Sequence, residues 1–180
     1  MRRTSFAEMH CSVARTLEIA GEWWSFLILR DLFKGVRRFD DMQRNTGIAR
    51  NILSDRLRTM VDHGIIERRR YQERPERFEY RLTEKGIDLY PVIISLMRWG
   101  DKWEFETPPV ILTHKGCGHD VVPQLTCPDC GEPIGARDMR WRPNPIAVAE
   151  AEARAAEAEL GARRRGDLAE TSAATTVSWM

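Results

Sequence analysis

The sequence has no stretch of about 18 apolar residues, the length a helix needs to span a bilayer, and its first eight residues, MRRTSFAE, hold no apolar run of signal-peptide length. The chain is therefore expected in the cytoplasm, without a membrane partner. It also lacks a charge excess: 28 Lys and Arg stand against 27 Asp and Glu, a net charge of +1. Any affinity for nucleic acid must then come from local clustering of charge. Cysteine is scarce, four in 180 residues. In a reducing compartment so few point to metal ligation or thiol chemistry before structural disulfides. Also missing are a phosphate-cradling glycine loop, a Ser/His/Asp set and the H-x-E with P-C-x-x-C of zinc deaminases. No enzyme is expected.

The most informative stretch runs from Arg37 to Thr83, where the signals come in the order helix, tight turn, helix, two-stranded ribbon. A short segment from Phe39 to Asn45 is broken by Thr46-Gly47, and glycine enters a sharp turn without steric cost. In Ala49 to His63, Leu53, Leu57, Met60 and Val61 recur at helical spacing and form one core-facing stripe, which Gly64 stops. The ribbon is Ile65 to Tyr71 and Arg77 to Leu82 around the loop Gln72-Glu73-Arg74-Pro75-Glu76. Together these predict a winged helix-turn-helix, a mostly α fold with a small β wing.

Helical geometry fixes the outer face of the second helix. Asn51, Asp55 and Arg58 lie opposite the apolar stripe, with Ser54 on its shoulder and Arg50 in the exposed first turn. Arg and Asn can each bond a purine edge in bidentate fashion, and Ser can serve a base or a phosphate. Asp55, repelled by phosphate, should accept from a cytosine amino group or hold Arg58 in one rotamer. On the wing, Arg68, Arg69, Arg70, Arg74 and Arg77 are expected over the phosphates. From Ile48 to Arg81 nine arginines face six acidic residues, and arginine matches phosphate geometry. Double-stranded DNA is the predicted partner. The competing reading is a protein-interaction adaptor, which would show no salt-dependent DNA binding.

Several stretches in this order are familiar: the run from Cys11 to Trp24, Leu27 to Asp41 with its Leu-Arg-Asp-Leu-Phe-Lys-Gly, Gly47-Ile-Ala-Arg-Asn-Ile-Leu-Ser-Asp-Arg-Leu, Tyr71-Gln-Glu-Arg-Pro, and Tyr80-Arg-Leu-Thr-Glu-Lys-Gly. From about Cys11 to Trp103 the chain resembles the HxlR-type transcriptional regulators, relatives of the MarR group. The resemblance implies a dimeric winged-helix repressor or activator, repression being the expected sign, that uses the second helix and the wing on DNA and its terminal helices for the dimer. It implies no target gene.

Around this core, Val13, Leu17 and Ala20 predict a narrow apolar face on a first helix, and Trp23 to Phe33 a helix apolar almost all round, its two tryptophans being core or dimer contacts. Thr83 should cap a long helical tract to about Phe105, kinked at Pro91. Val92, Ile93, Leu96, Met97, Trp99 and Trp103 offer more apolar surface than so small a domain can bury, which predicts a homodimer.

After the hinge Thr107-Pro108-Pro109, H-x-x-C-G and C-x-x-C-G place a glycine at the same point of two knuckles. One structural zinc is assigned to His114, Cys117, Cys127 and Cys130, with His119 the alternative to His114. Four protein ligands close the shell and leave no catalytic position. Residues 1–106 are thus read as the winged domain, 107–139 as a zinc-ribbon-like module, and 140–180 as a tail. In the tail, Ile146 to Leu160 forms a lone helix and 161–180 are disordered. Cys11 precedes the first helix beside His10, where a helix dipole and an imidazole favour a thiolate. The resemblance adds that some HxlR-type regulators sense electrophiles or oxidants through a cysteine there. The alternative is a small buried packing residue.

Overall fold

A computed structural model describes residues 5–165. The chain divides into two compact units, Met1–Pro123 and Gln124–Met180. The first unit contains α1 (Ser12–Ala20), α2 (Trp23–Phe33), α3 (Phe39–Thr46), α4 (Arg50–Asp62), β1 (Ile66–Gln72), β2 (Arg77–Leu82), α5 (Glu84–Ile87), α6 (Tyr90–Trp103) and a small hairpin of β3 (Leu112–Thr113) and β4 (Asp120–Val121). The second unit holds α7 (Pro145–Arg165).

The core forms where the apolar faces of α2, α3 and α4 meet the root of the ribbon. Ile28, Leu29, Met42, Ile48, Leu53, Leu57 and Ile66 are fully buried there. Each contributes roughly 1.5–3 kcal/mol through removal from water. The expected stripe on α4 is present, with Leu53, Leu57 and Met60 buried and Val61 packed against them. Between α3 and α4 the chain turns at Gly47, whose φ of 69° is a left-handed conformation that a Cβ would strain.

The ribbon is antiparallel, with Ile66 opposite Leu82 at the core end and Arg70 opposite Phe78 toward the tip. The register shifts between Arg70 and Gln72, so Tyr71 is an extra residue that bends the wing. At the other end Thr83 fastens the ribbon to α4. Its hydroxyl donates to the Gly64 carbonyl at 2.6 Å and accepts from the Gly86 N–H at 3.2 Å. Gly86 sits so close to this junction that an added Cβ would lie 2.1 Å from the Ile65 carbonyl oxygen.

Three expectations are corrected. On α1 the buried residues are Ala14 and Ala20, whereas Val13 and Leu17 are exposed. The small residues let α1 lie close to the core, while the larger Val13 and Leu17 keep much of their surface in water. The tract after Thr83 is not one kinked helix: α5 ends after a single turn and α6 starts afresh with Pro91 in its first turn. There the missing N–H costs nothing and the fixed φ suits a helix start. Finally, α7 continues through 161–165, which were expected to be disordered. Arginine is a good helix former and favours a helix C-terminus. Residues 166–180 of that expectation lie outside the described residues.

Candidate nucleic-acid interface

The anchoring of α4 by its buried stripe leaves Asn51, Asp55 and Arg58 exposed on the opposite side, with Ser54 exposed on the shoulder of the stripe and Arg50 exposed in the first turn. The first three share one face, as the helical spacing requires. Asp55 Oδ1 lies 3.0 Å from Arg58 Nη2, one turn along, so the carboxylate is placed to orient the guanidinium, one of the two roles expected of it. Arg50 is held from outside its own helix. Its guanidinium stands over the Phe39 ring, 4.8 Å from the centroid, and 3.4 Å from Asp40 Oδ1, both at the start of α3. The first turns of α3 and α4 are therefore adjacent.

On the wing, one face is a charge checkerboard. Glu67 is opposite Arg81 and Arg69 is opposite Glu79; Arg69 Nη2 is 2.6 Å from Glu67 Oε1, and Arg81 Nε donates to Glu79 Oε1 at 2.7 Å. On the other face Arg68 stacks on Phe78, with 3.4 Å from guanidinium carbon to ring centroid. Arg70 is shared between Glu73 and Glu76 at 3.7 and 3.4 Å. Among the described residues, Arg68, Arg74 and Arg77 have no ion-pair partner and are exposed, the last two at the wing tip. The wing's arginines thus divide into those already neutralised within the chain and those open to an external anion.

The cysteine and histidine pairs form two separate turns with matching backbone. In the first, His114 opens the β3–β4 loop: its N–H donates to the His119 carbonyl at 2.9 Å and its carbonyl accepts from Gly118 N–H at 2.7 Å. His114 Nδ1 is 3.3 Å from Cys117 Sγ, close to the roughly 3.6 Å that two ligands of one tetrahedral zinc would keep. In the second turn, Cys127 N–H donates to the Glu132 carbonyl and Gly131 N–H to the Cys127 carbonyl, each at 2.8 Å. Gly118 and Gly131 both have positive φ, 74° and 77°. Backbone amides of Cys130 and Asp129, with the Cys130 side chain, hydrogen-bond Cys127 and lower its thiol pKa. Such amides stabilise a thiolate, the form that binds metal. Each turn fits half of a zinc shell, yet among the described residues no group of three or more His, Cys, Asp or Glu side chains is gathered to hold a metal.

Cys11 is the N-cap of α1 and is exposed, so it does not fill the packing role. On α6, Val92, Leu96, Trp99 and Trp103 follow one another at helical spacing and are all exposed, Trp99 by 61% and Trp103 by 64%. Ile93 and Ile94 face inward instead. Of the adjacent tryptophans, Trp24 packs on the core and Trp23 is 83% exposed. No helix among the described residues is long and apolar enough to cross a membrane.

Sequence reasoning missed Arg37 and Arg38. They precede α3 within the family-like run from Leu27 to Asp41, which assigned them no role, but Arg38 lies over the Tyr71 ring of the wing at 4.9 Å, and the Arg37 carbonyl accepts the Tyr80 N–H at 2.8 Å. The doubled arginine after Gly35-Val36 was the one available signal.

The profile of the HxlR-like helix-turn-helix family matches residues 19–107. Two uncharacterized HTH-type transcriptional regulators, Mb3122 of Mycobacterium bovis and Rv3095 of Mycobacterium tuberculosis, are each 50% identical to this chain over 136 residues, which is 74% of the chain and 86% of theirs. The crystal structure of PA1607, provisionally described as a transcription factor, is similar with a TM-score of 0.70 and 38% identity, covering 78% of this chain and 100% of that one. PA1374 from Pseudomonas aeruginosa, described in the same way, gives 0.54 and 36%, covering 75% and 93%. In a chain of 180 residues, the 136-residue matches cannot end at residue 107, and they run through both cysteine turns. With α4 and the wing set out as above, the chain belongs to the HxlR-like helix-turn-helix family of DNA-binding transcriptional regulators.

Proposed function

We propose that the protein works as a homodimer in the cytoplasm, representing a repressor that places α4 in the major groove and the wing along the adjacent backbone. One observation carries this reading. A helix locked into the core by Leu53, Leu57 and Met60 turns Arg50, Asn51, Ser54, Asp55 and Arg58 outward, beside a wing rich in arginine. Asn51 and Arg50 read base edges, Ser54 serves base or phosphate, and Asp55 sets the rotamer of Arg58. Arg68, Arg69, Arg70, Arg74 and Arg77 meet phosphate, with Arg74 and Arg77 the freest to do so.

The dimer is supported by the exposed α6 stripe together with Val13 and Leu17 of α1, surface a lone chain leaves in water at a cost. Two-fold symmetry then sets two copies of α4 on half-sites about one helical turn apart. Selection of bound fragments from random duplex DNA tests this directly. An enriched inverted repeat with that spacing supports it; enrichment of an unrepeated site, or none, refutes it.

One structural zinc per chain, held by His114, Cys117, Cys127 and Cys130, is the reading that the repeated spacing and the two similar turns support best, with His119 the alternative to His114. When bound, such a metal cross-links a module that has little apolar material of its own. An electrophile or oxidant acting at the exposed Cys11 is a further part of the proposal. Its position at the start of α1, beside the exposed Val13 and Leu17, would link thiol chemistry to dimer geometry.

A further inference from the structure

The link between α2 and α3 has no part in the interface proposed so far, yet it carries two arginines. It leaves α2 through Lys34 and through Gly35, whose φ is 84°, and the Val36 N–H donates back to the Asp31 carbonyl at 2.9 Å. The Tyr80–Arg37 hydrogen bond then fastens it to the edge of β2. Arg38 is the N-cap of α3, and the next two residues, Phe39 and Asp40, touch Arg50 at the start of α4. Arg38 itself reaches the wing at Tyr71. The pair is therefore held between the first turn of α4 and the wing, the two elements that approach DNA.

Arg37 and Arg38, with Arg44, Asp41 and Glu79, line an open groove of about 480 Å³. Its two carboxylates are already engaged, Asp41 with Arg44 at 3.3 Å and Glu79 with Arg81 at 2.7 Å. Among the described residues neither Arg37 nor Arg38 has an ion-pair partner, and both are exposed. Arg50, Arg58, Arg69 and Arg70, by contrast, each share a carboxylate. A guanidinium with no internal partner has no ion pair to give up when it meets a phosphate, and stacking on an aromatic ring leaves its donor edge free.

We propose that Arg37 and Arg38 form a phosphate-binding groove for the DNA backbone, gripping the strand beside the major groove that α4 reads. This rests on the DNA-binding reading of α4 and the wing. The contact carries no sequence information and works through counterion release, so its signature is salt dependence.

The test titrates the full chain and an Arg37→Ala/Arg38→Ala variant against a selected operator and a scrambled duplex of the same length, over a series of KCl concentrations. The double variant is expected to lower the slope of log K against log salt by about 1.8, or roughly 0.9 for each lost phosphate. Both duplexes should weaken by the same factor, and Arg37→Lys/Arg38→Lys should keep most of the slope. An unchanged slope overturns the proposal, and so does a changed operator-to-scrambled ratio, which would put these arginines on bases. Inorganic phosphate that binds the wild type but not the double variant, without displacing either duplex at constant ionic strength, would assign the groove to a free anion and also overturn it. If the alanine pair does not fold, Arg37→Gln/Arg38→Gln gives the same readout. Failure of the wild type to bind either duplex would instead sink the reading of α4 and the wing.

Discussion

Asp55 Oδ1 sits 3.0 Å from Arg58 Nη2 on the outer face of α4, so a carboxylate that DNA would repel holds a guanidinium that DNA would attract. Both side chains are more than half exposed. The pair then adds no more than about 0.5 kcal/mol to folding. Its value lies in fixing where Arg58 points. Asp55→Ala should leave the melting temperature nearly unchanged, strengthen binding to scrambled DNA by removing a repelled charge, and narrow the preference for operator by roughly tenfold. Titration of both duplexes checks it; an unchanged preference would mean that Arg58 needs no such support.

Arg69 and Arg74 should behave differently although both are on the wing. Arg69 is 2.6 Å from Glu67, inside the checkerboard, while Arg74 has no ion-pair partner among the described residues. Arg74→Ala is expected to reduce the salt slope by about 0.9 on every sequence, and Arg69→Ala by clearly less. Equal reductions would show that the internal pairs open on binding.

Gly86→Ala should destabilise the winged unit by about 2 kcal/mol, because the new methyl would meet the Ile65 main chain and not a side chain that can swing away. Thermal unfolding measures it. A loss below the scatter of surface substitutions would show that the wing root can open at little cost.

These residues also show how far the sequence could be read. The stripe of α4 is local and periodic, so Leu53, Leu57 and Met60 identify the buried side and the outer residues follow by geometry. The Asp55–Arg58 pair was legible for the same reason, being one turn apart. Arg50 with Asp40 was not, since ten residues and a turn separate them. Arg37 and Arg38 escaped because their setting depends on Tyr71 and Tyr80, more than thirty residues away. Pro91 misled because a proline within a helix and one at its start look alike unless the preceding turn is known to end. Val13 and Leu17 misled in another way: periodicity gives an apolar face without saying whether this chain or another covers it.

Replacing Leu96 and Trp99 together by glutamate should yield a monomer by sedimentation, since truncating or charging a buried interface aromatic commonly costs about 2 kcal/mol or more. An unchanged oligomer would place the interface elsewhere.

Metal analysis should find one zinc per wild-type chain and a clear loss in Cys127→Ser. The unfolding that follows chelation should stay within about residues 110–137, leaving the α4 face intact. Unchanged zinc content in the variant would remove Cys127 from the ligand set. In the same preparation, diamide should release DNA from the wild type but not from Cys11→Ser, with zinc content followed in parallel. Equal sensitivity of the two would end the sensing role.

The division of labour between α4 and the wing is the centre of this account, and paired titrations of Asn51→Ala and Arg74→Ala against operator and scrambled duplex test it most directly. Asn51→Ala is predicted to weaken operator binding by about 1–3 kcal/mol with little effect on scrambled DNA, and Arg74→Ala to weaken both equally. If the two variants lose the same affinity on both duplexes, α4 does not read the bases and the account fails.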